Sequence, residues 1–296
     1  MGSESNRIDV VVCHYNKSQA AHLHHMALHT MAFLCKEQPT DLNIILVDGS
    51  PVRDDELAQG LERLGVEYLH CGKELSATET VNAGIMRTKN PVVVYLTNDV
   101  FIQAAQVRKL AAEVRGNIAC AFPYLTSCDY GTQIERRLPV PRRCYPSRMV
   151  IVVAAFSREA LEKVGLMPTE ITGVFCDVIL SILLREEGYS LVLRNVGHVI
   201  HLGQQTLKTG ASTTLWEPDA VWFAKHYPQY WRKGMILFHK VAQRTSTKIM
   251  YFALEYLPVS VVNMLGLERL VWQLEPYLCA EKGTYREGVR RILGMK

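Results

Sequence analysis

The sequence lacks the features that mark several common classes of site. Its eight cysteines are scattered and none forms a C-x-x-C pair, which argues against a structural zinc site. The segment after the first predicted strand, HYNKSQAAHL, has no glycine, so it cannot be the G-x-G-x-x-G loop of a dinucleotide-dependent oxidoreductase. There is no internal repeat and no low-complexity segment. What remains, with 48% hydrophobic and 21% charged residues, is the composition of a globular protein.

Long apolar runs are also lacking. The run Phe252–Leu267 contains Glu255 and Pro258 and is shorter than the ~20 residues of a bilayer-spanning helix. We interpret it as core packing or as a homodimer contact between C-terminal helices, with a membrane-surface helix as the alternative. The first seven residues are polar and indicate no cleavable signal sequence. With the unpaired cysteines, this predicts a cytoplasmic protein without a stable membrane span.

Positive charge is concentrated in two places, although the net charge of +4 is mild. Residues 231–296 contain 11 Lys and Arg against 5 Glu and no Asp, whereas the rest of the chain is slightly acidic. We therefore expect one domain over residues 1–231 and a basic helical extension over residues 232–296. The second cluster lies between Glu135 and Arg148. It is either a solvated loop or, through Arg142 and Arg143, a contact for an anionic ligand.

Strands and helices alternate along the first hundred residues. Short apolar runs rich in β-branched residues predict buried strands, and each is followed by a segment with helical spacing of its apolar residues. This alternation predicts an α/β fold with a mostly parallel sheet and helices on both faces. The predicted strands are Ile8–Cys13, Leu42–Val47, Val66–His70 and Pro91–Leu96, and the predicted helices are Ala20–Lys36, Asp54–Leu64 and Ser76–Thr88.

The second half of the chain has a less regular pattern. It predicts further strands and two helices, and mostly helical sequence after Trp216 that is interrupted by prolines. The predicted strands are Ala119–Tyr124, Met149–Ala155, Ser190–Asn195 and Gly197–His201, and the helices are Ser157–Val164 and Val174–Glu187.

Three carboxylates follow predicted strands or begin a predicted helix: Asp48, Asp99 and Asp177. Each one alone is more simply explained as a turn residue or a helix cap. Together they point to a ligand, because ligands of parallel sheets bind at the carboxyl ends of the strands. Asp99 offers the oxygen ligand that a hard divalent cation needs, and His201, at the end of a later strand, offers a nitrogen. A structural role for His201 remains the alternative.

Seven short motifs occur in a fixed order between Ile8 and about Thr206, and each is weak alone. Together their order resembles the inverting GT-A glycosyltransferases of family two, which include many bacterial surface-sugar transferases. The motifs are a strand with Tyr15 and Asn16 (VVVCHYN), a strand ending at Asp48 (IILVDGSP), a helix with Asn82 and Gly84 (TVNAGIMRT), a strand with Asn98 and Asp99 (VVVYLTND), a strand, helix and glycine (VIVVAAFSREALEKVGLM), a helix start at Asp177 (VFCDVILSILLREEGY) and a strand ending at His201 (HVIHLG).

The resemblance implies a GT-A (Rossmann-like) fold with a C-terminal helical extension, and transfer of a sugar, with inversion, from a UDP-sugar to an acceptor hydroxyl. It implies a divalent metal, Mn²⁺ or Mg²⁺. The implied roles are donor nucleotide binding by Tyr15, Asn16, Asp48, Asn82 and Asn98, metal binding by Asp99, a further metal or diphosphate contact by His201, and general base catalysis by Asp177. The contact of Arg142 and Arg143 with an anionic acceptor is inferred from the charge cluster alone and not from the resemblance.

Two departures from the family pattern keep alternatives open. The metal motif usually has two acidic residues, but here Asp99 is the only one, which implies weaker metal binding or a metal held mainly by the donor phosphates. Cys176 stands where an acidic residue usually precedes the base. A catalytically silent binding module is therefore one alternative. A nucleotidyltransferase is another, although the loop after the first strand lacks the glycines of that class.

The arginine cluster yields the first prediction. We expect Arg142→Ala combined with Arg143→Ala to raise the KM for an anionic acceptor and to leave the KM for the donor unchanged. The acceptor KM of the unaltered protein should rise with ionic strength, because salt screens exposed charges. Steady-state kinetics at low and high salt measures both constants. An acceptor KM insensitive to salt would leave the loop as solvated surface.

Overall fold

Short apolar strands form the centre of the fold, as the β-branched runs in the sequence predict. The computed structural model describes residues 7–123, 125, 143–144, 149, 151–173, 175–202 and 216–227. Its strands are β1 Ile8–His14, β2 Leu42–Asp48, β3 Glu67–His70, β4 Val92–Thr97, β5 Val100–Phe101, β6 Ile118–Pro123, β7 Arg143–Cys144, β8 Val153–Ser157, β9 Ser190–Arg194 and β10 Ile200–His201. Its helices are α1 Ala21–Cys35, α2 Asp55–Arg63, α3 Ala77–Arg87, α4 Ala104–Ala111, α5 Arg158–Lys163, α6 Cys176–Glu186 and α7 Trp216–His226.

Eight strands form one sheet in the order β3-β2-β1-β4-β8-β6-β9-β7. Strands β1 to β4 pair in parallel, and so do β6 and β9. Strand β8 is antiparallel to both β4 and β6, so β6 and β9 run in the same direction as β1. The prediction of a mostly parallel sheet is confirmed. A second, two-stranded sheet joins β5 and β10.

Helices cover both faces of the sheet, because successive side chains of each strand point to opposite sides. On one face, Val10 and Val12 of β1 pack in a core with residues of α1, α2 and α4. On the other face, Val11 packs in a core with residues of α3, α5 and α6. Within the described part of the chain, none of the helices combines the length and apolar character needed to cross a bilayer.

The structure corrects three predicted boundaries. The strand predicted at Met149–Ala155 lies instead at Val153–Ser157, where it pairs antiparallel with β4. Only Ile200–His201 of the strand predicted at Gly197–His201 is extended, and it pairs with β5 outside the main sheet. The helix predicted from Val174 begins at Cys176. The two strand positions were set by pairing with β4 and with β5, which the local sequence pattern does not specify.

Gly84 allows α3 to lie close to the sheet. A Cβ atom at this position would lie 2.3 Å from Cγ1 of Val11 and 2.9 Å from Cγ2 of Val47. The helix is further fixed at its start by a capping box between Ser76 and Glu79. The glycine of the motif is therefore required for the approach of the helix to β1 and β2.

A buried carboxylate, that of Asp9, stabilises the end of the sheet at which β1 begins. Asp9 is 0% exposed and accepts hydrogen bonds from the backbone N–H groups of Lys89, at 2.9 Å, and Asn90, at 2.6 Å. Arg158 lies 3.6 Å from the same carboxylate. Because β1 starts here and ends at the opposite edge, this network is remote from the carboxyl ends of the parallel strands.

The packing of Gly84 gives a stability prediction. We expect Gly84→Ala to lower the free energy of unfolding by about 1–3 kcal/mol, because the added methyl group overpacks the interface between α3 and β1. The loss should shrink when Val11→Ala makes room in the same protein. Urea denaturation of the two single variants and the double variant measures this coupling. Equal losses in both backgrounds would contradict the packing explanation.

Candidate active site

The parallel strands end at a common edge, and several of the candidate residues lie there. His14 at the end of β1 is in register with Asp48 of β2, which is in register with His70 of β3. Thr97 ends β4 beside β1. Helix α6 leads into β9, which runs parallel to these strands, so the start of α6 faces the same edge. The register therefore places Asp48, Asp99 and Asp177 along one edge.

Asp99 and His201 are brought together by the small sheet. His201 is in register with Val100, and the N–H of Leu202 donates to the carbonyl oxygen of Asp99 at 3.0 Å. As a result Nε2 of His201 lies 3.1 Å from Oδ2 of Asp99, and both side chains are nearly buried. Oδ1 of Asp99 accepts a hydrogen bond from the Thr97 hydroxyl at 2.7 Å. The two predicted metal ligands are thus adjacent.

This pair offers one oxygen and one nitrogen ligand to a divalent cation. Among the described residues there is no group of three or more His, Cys, Asp or Glu side chains that could hold a metal. A hard cation takes about six ligands. The pair therefore fits a metal only if the remaining ligands are supplied by a bound molecule and by water.

Asn98 is buried beside the end of β1. Its Nδ2 lies 2.6 Å from Nδ1 of His14, and its carbonyl oxygen accepts a hydrogen bond from the Thr30 hydroxyl at 2.9 Å. Burial lowers the pKa of His14, which favours a neutral ring. Nε2 of His14 has no hydrogen-bond partner among the residues the structure describes. Asn98 thus anchors the turn that carries Asp99, and its predicted contact with a nucleotide stays a prediction.

Asp48 is 0% exposed, and both of its oxygens are occupied. Oδ1 accepts the N–H of Ser50 at 2.9 Å, and Oδ2 accepts the hydroxyl of Tyr68 at 2.6 Å. Burial and this hydrogen bond raise the pKa of Tyr68. The Arg53 guanidinium lies 5.0 Å from the centre of the Tyr68 ring. Tyr68 is thus a direct partner of Asp48, and no motif in the sequence marked it.

Tyr15 and Asn16 shape the loop after β1. The hydroxyl of Tyr15 donates to Glu74, which also accepts from Nζ of Lys17 at 3.1 Å. Desolvation and the neighbouring Glu74 raise the pKa of Tyr15 to about 12. The amide of Asn16 bonds to the backbone of Ala20 through both of its groups, at 2.8 and 3.1 Å. Lys17 and Glu74 are additional rim residues, and no motif in the sequence marked them.

The structure gives Asn82 a role different from the predicted one. Its Nδ2 donates to the carbonyl oxygen of Met167 and its Oδ1 accepts the N–H of the same residue, both at 2.9 Å. The side chain is buried, so it fastens α3 to the loop that follows α5. Its predicted contact with the donor nucleotide stays a prediction.

Asp177 lies in the first turn of α6, one residue inside the helix. The N-cap is Phe175, and Oδ1 of Asp177 accepts the N–H of Val178 at 2.8 Å. The interpretation of Asp177 as the N-cap is therefore wrong, although the helix dipole still favours its charge.

Burial raises the pKa of Tyr95 well above its usual value, and Cys13, Cys176 and Asp99 add to this. Tyr95 is thus close to the residue before Asp177 and to Asp99.

Other predicted residues lie wholly or partly outside the described chain. Arg142 falls outside it, and Arg143 is described only as backbone of β7, in register with Arg194 of β9. The proposed extension over residues 232–296 also lies outside the described residues.

A comparison with known families identifies the family of the chain. The sequence model described as "Glycosyl transferase family 2" matches residues 9–163, a little more than half of the chain. The chain belongs to this family. Among proteins with curated descriptions, none matches the sequence significantly.

Solved glycosyltransferase structures share the fold. GalNAc-T7 with UDP, GalNAc and Mn²⁺ is 15% identical, with a TM-score of 0.58, over 91% of this chain and 55% of that one. The mannosyltransferase PcManGT from Pyrobaculum calidifontis, in complex with GDP-Man and Mn²⁺, is 14% identical, with a TM-score of 0.55, over 98% of this chain and 88% of that one. TarS from S. aureus is 12% identical, with a TM-score of 0.50, over 98% and 53%. The chain thus has the GT-A fold and spans about half the length of GalNAc-T7 and TarS.

The adjacent Asp99 and His201 give a metal-binding prediction. We expect Asp99→Asn and His201→Ala each to weaken Mn²⁺ binding in the presence of a nucleoside diphosphate by about tenfold or more, because each removes one of two protein ligands. Electron paramagnetic resonance of free Mn²⁺ measures the affinity.

The matched control is Asp54→Asn. Asp54 forms another Asp–His pair, with Oδ2 2.8 Å from Nδ1 of His24, and asparagine can still cap α2 at this position. Mn²⁺ affinity should not change in this variant. Loss of affinity in Asp54→Asn, with none in Asp99→Asn, would place the metal elsewhere.

Proposed function

We propose that this chain transfers a sugar, with inversion, from a UDP-sugar to an acceptor hydroxyl, with the help of a divalent cation. The observation that carries the proposal is the Asp99–His201 contact, 3.1 Å long, at the edge to which the start of α6 brings Asp177. A pair of cation ligands and a separate carboxylate are the two kinds of group that such a transfer needs.

Asp99 and His201 fit Mn²⁺ or Mg²⁺ on the condition that the donor and water supply the other ligands. Oδ2 of Asp99 and Nε2 of His201 would bind the ion, and phosphate oxygens of the donor and water would complete its ligands. When bound, the cation offsets the negative charge that develops on the leaving diphosphate. The metal would thus bind together with the donor, which agrees with the small number of protein ligands.

For the nucleotide we assign the edge formed by Tyr15, Asn16 and Asp48. A carboxylate oxygen of Asp48 would accept a hydrogen bond from the uracil base beside the one that Oδ2 accepts from Tyr68. Tyr15 and Lys17, held by Glu74, would line the entrance. In this assignment Asp48 is the only residue that would distinguish uracil from other bases. The affinities for UDP and GDP should therefore be measured side by side.

Asp177 would act as the general base. Its carboxylate accepts the proton of the acceptor hydroxyl as that oxygen attacks the anomeric carbon. The bond between this carbon and the diphosphate oxygen breaks, and the nucleoside diphosphate leaves with the bonding electrons. Attack from the side opposite the leaving group inverts the configuration. The N-terminus of α6 favours the charged, proton-accepting form of Asp177.

The small set of cation ligands favours a second candidate function. A binding module of the same fold would hold the nucleotide without transferring a sugar, and turnover with and without metal distinguishes it from the enzyme.

For the acceptor we propose an anionic molecule bound through Arg142 and Arg143. A cytoplasmic location and a homodimer formed through residues 232–296 are further proposals from the sequence.

The assigned base gives the central prediction. We expect Asp177→Asn to reduce transfer at least a hundredfold while folding and donor affinity stay near normal, because loss of a general base costs about a hundred- to ten-thousand-fold in rate. Release of UDP from a UDP-sugar and acceptor measures transfer, and a thermal shift with UDP and Mn²⁺ measures donor binding.

Two outcomes would count against this assignment. Wild-type turnover in Asp177→Asn would remove Asp177 as the base, and Glu170 would be examined next. If no nucleoside diphosphate raises the melting temperature with either metal, the donor assignment fails as a whole. Asp48→Ala should abolish the shift if the base contacts that carboxylate.

A further inference from the structure

The loop that leads to Asp177 is held by a buried carboxylate of α7. Asp219 is 2% exposed, and its oxygens accept hydrogen bonds from the N–H of Thr172 at 2.8 Å, the hydroxyl of Thr172 at 2.9 Å and the N–H of Gly173 at 3.0 Å. Hydrogen bonds to an ionised acceptor are roughly twice as strong as neutral ones. Asp219 therefore fixes the backbone a few residues before the start of α6.

A ring contact one turn further along α7 holds the same loop. The rings of Phe223 and Phe175 are stacked, with centroids 4.9 Å apart and planes 2° apart. Residues four apart lie on the same face of a helix, so Asp219 and Phe223 contact the loop from one side. Since Phe175 is the N-cap of α6, this contact reaches the residue two positions before Asp177.

Helix α3 holds the loop from another direction. The Thr78 hydroxyl donates to the carbonyl oxygen of Ile171 at 3.0 Å, and the N–H of Ala77 donates to that of Thr172 at 3.2 Å. Gly173 has φ 152°, a region that favours glycine, and a Cβ there would lie 3.2 Å from that of Ala77. The loop thus follows one path between two helices, and Asp219 is the buried charge that defines it.

We propose that Asp219 is a positioning residue for sugar transfer. It acts through the backbone of Thr172 and Gly173, which sets the start of α6 and hence the position of Asp177 at the strand edge. The inference rests on the proposed function of Asp177 as the base. It makes α7 a part of the catalytic arrangement, although Asp219 itself touches neither donor nor acceptor. A displacement of about 1 Å at a reacting group can lower a rate by about a hundredfold.

The test compares Asp219→Asn with Asp9→Asn. Both replace a buried carboxylate that accepts two consecutive backbone N–H groups, but Asp9 lies at the opposite end of the sheet. We expect Asp219→Asn to lower kcat by about ten- to a hundredfold, with the KM for the donor unchanged. Asp9→Asn should lower the melting temperature and leave kcat per folded molecule unchanged.

The double variant Asp177→Asn with Asp219→Asn distinguishes positioning from a general loss of structure. If Asp219 acts through Asp177, the double variant is no slower than Asp177→Asn alone, because groups that act as a unit are not additive. Additive losses, or a normal kcat in Asp219→Asn, would overturn the inference. If Asp219→Asn does not fold, Thr172→Val takes its place, because it removes the hydroxyl that donates to Asp219.

The same experiment separates the two proposals. Normal turnover in Asp177→Asn would refute the proposed base itself. Slow turnover in Asp177→Asn together with normal turnover in Asp219→Asn would refute only the positioning role.

Discussion

The contact between Asp99 and His201 is the interaction on which the candidate site depends. It joins the loop after β4 to a segment a hundred residues later, and it forms because β5 and β10 pair outside the main sheet. Without that pairing, Asp99 would be a single acidic residue at a strand end. With it, the edge offers two ligands of different type. Under the proposed function, the metal and the donor diphosphate would bind together, because two protein ligands are too few for a divalent cation.

Buried hydrogen bonds help to position the side chains at this edge. Asp48 with Tyr68, and His14 with Asn98, place hydrogen-bonding side chains below the strand ends, where unpaired polar groups would be costly. Such networks hold their members in fixed positions when their groups are paired. Asn98 ties the turn of Asp99 to β1, so donor-side and metal-side residues are positioned by the same strands.

The acceptor side is constructed differently. The family match ends at residue 163, and Asp177, His201 and Asp219 all lie beyond it. Here a loop between α5 and α6 follows a path fixed by α3 on one side and α7 on the other. The donor half thus uses the regular edge of a parallel sheet, whereas the proposed base depends on helix contacts.

The sequence by itself determined the mostly parallel sheet, the helices on both faces and the order of the candidate residues, because β-branched runs and helical spacing are local signals. It also predicted Asp99 and His201 as a pair, from a resemblance in motif order. Only the tertiary structure decided that Asn82 fastens Met167, that Tyr68 donates to Asp48 and that Asp219 holds the loop before Asp177. These contacts join residues with no periodic or spacing relation, so nothing in the local pattern specifies them. They arise when helices pack on the sheet and buried polar groups must find partners.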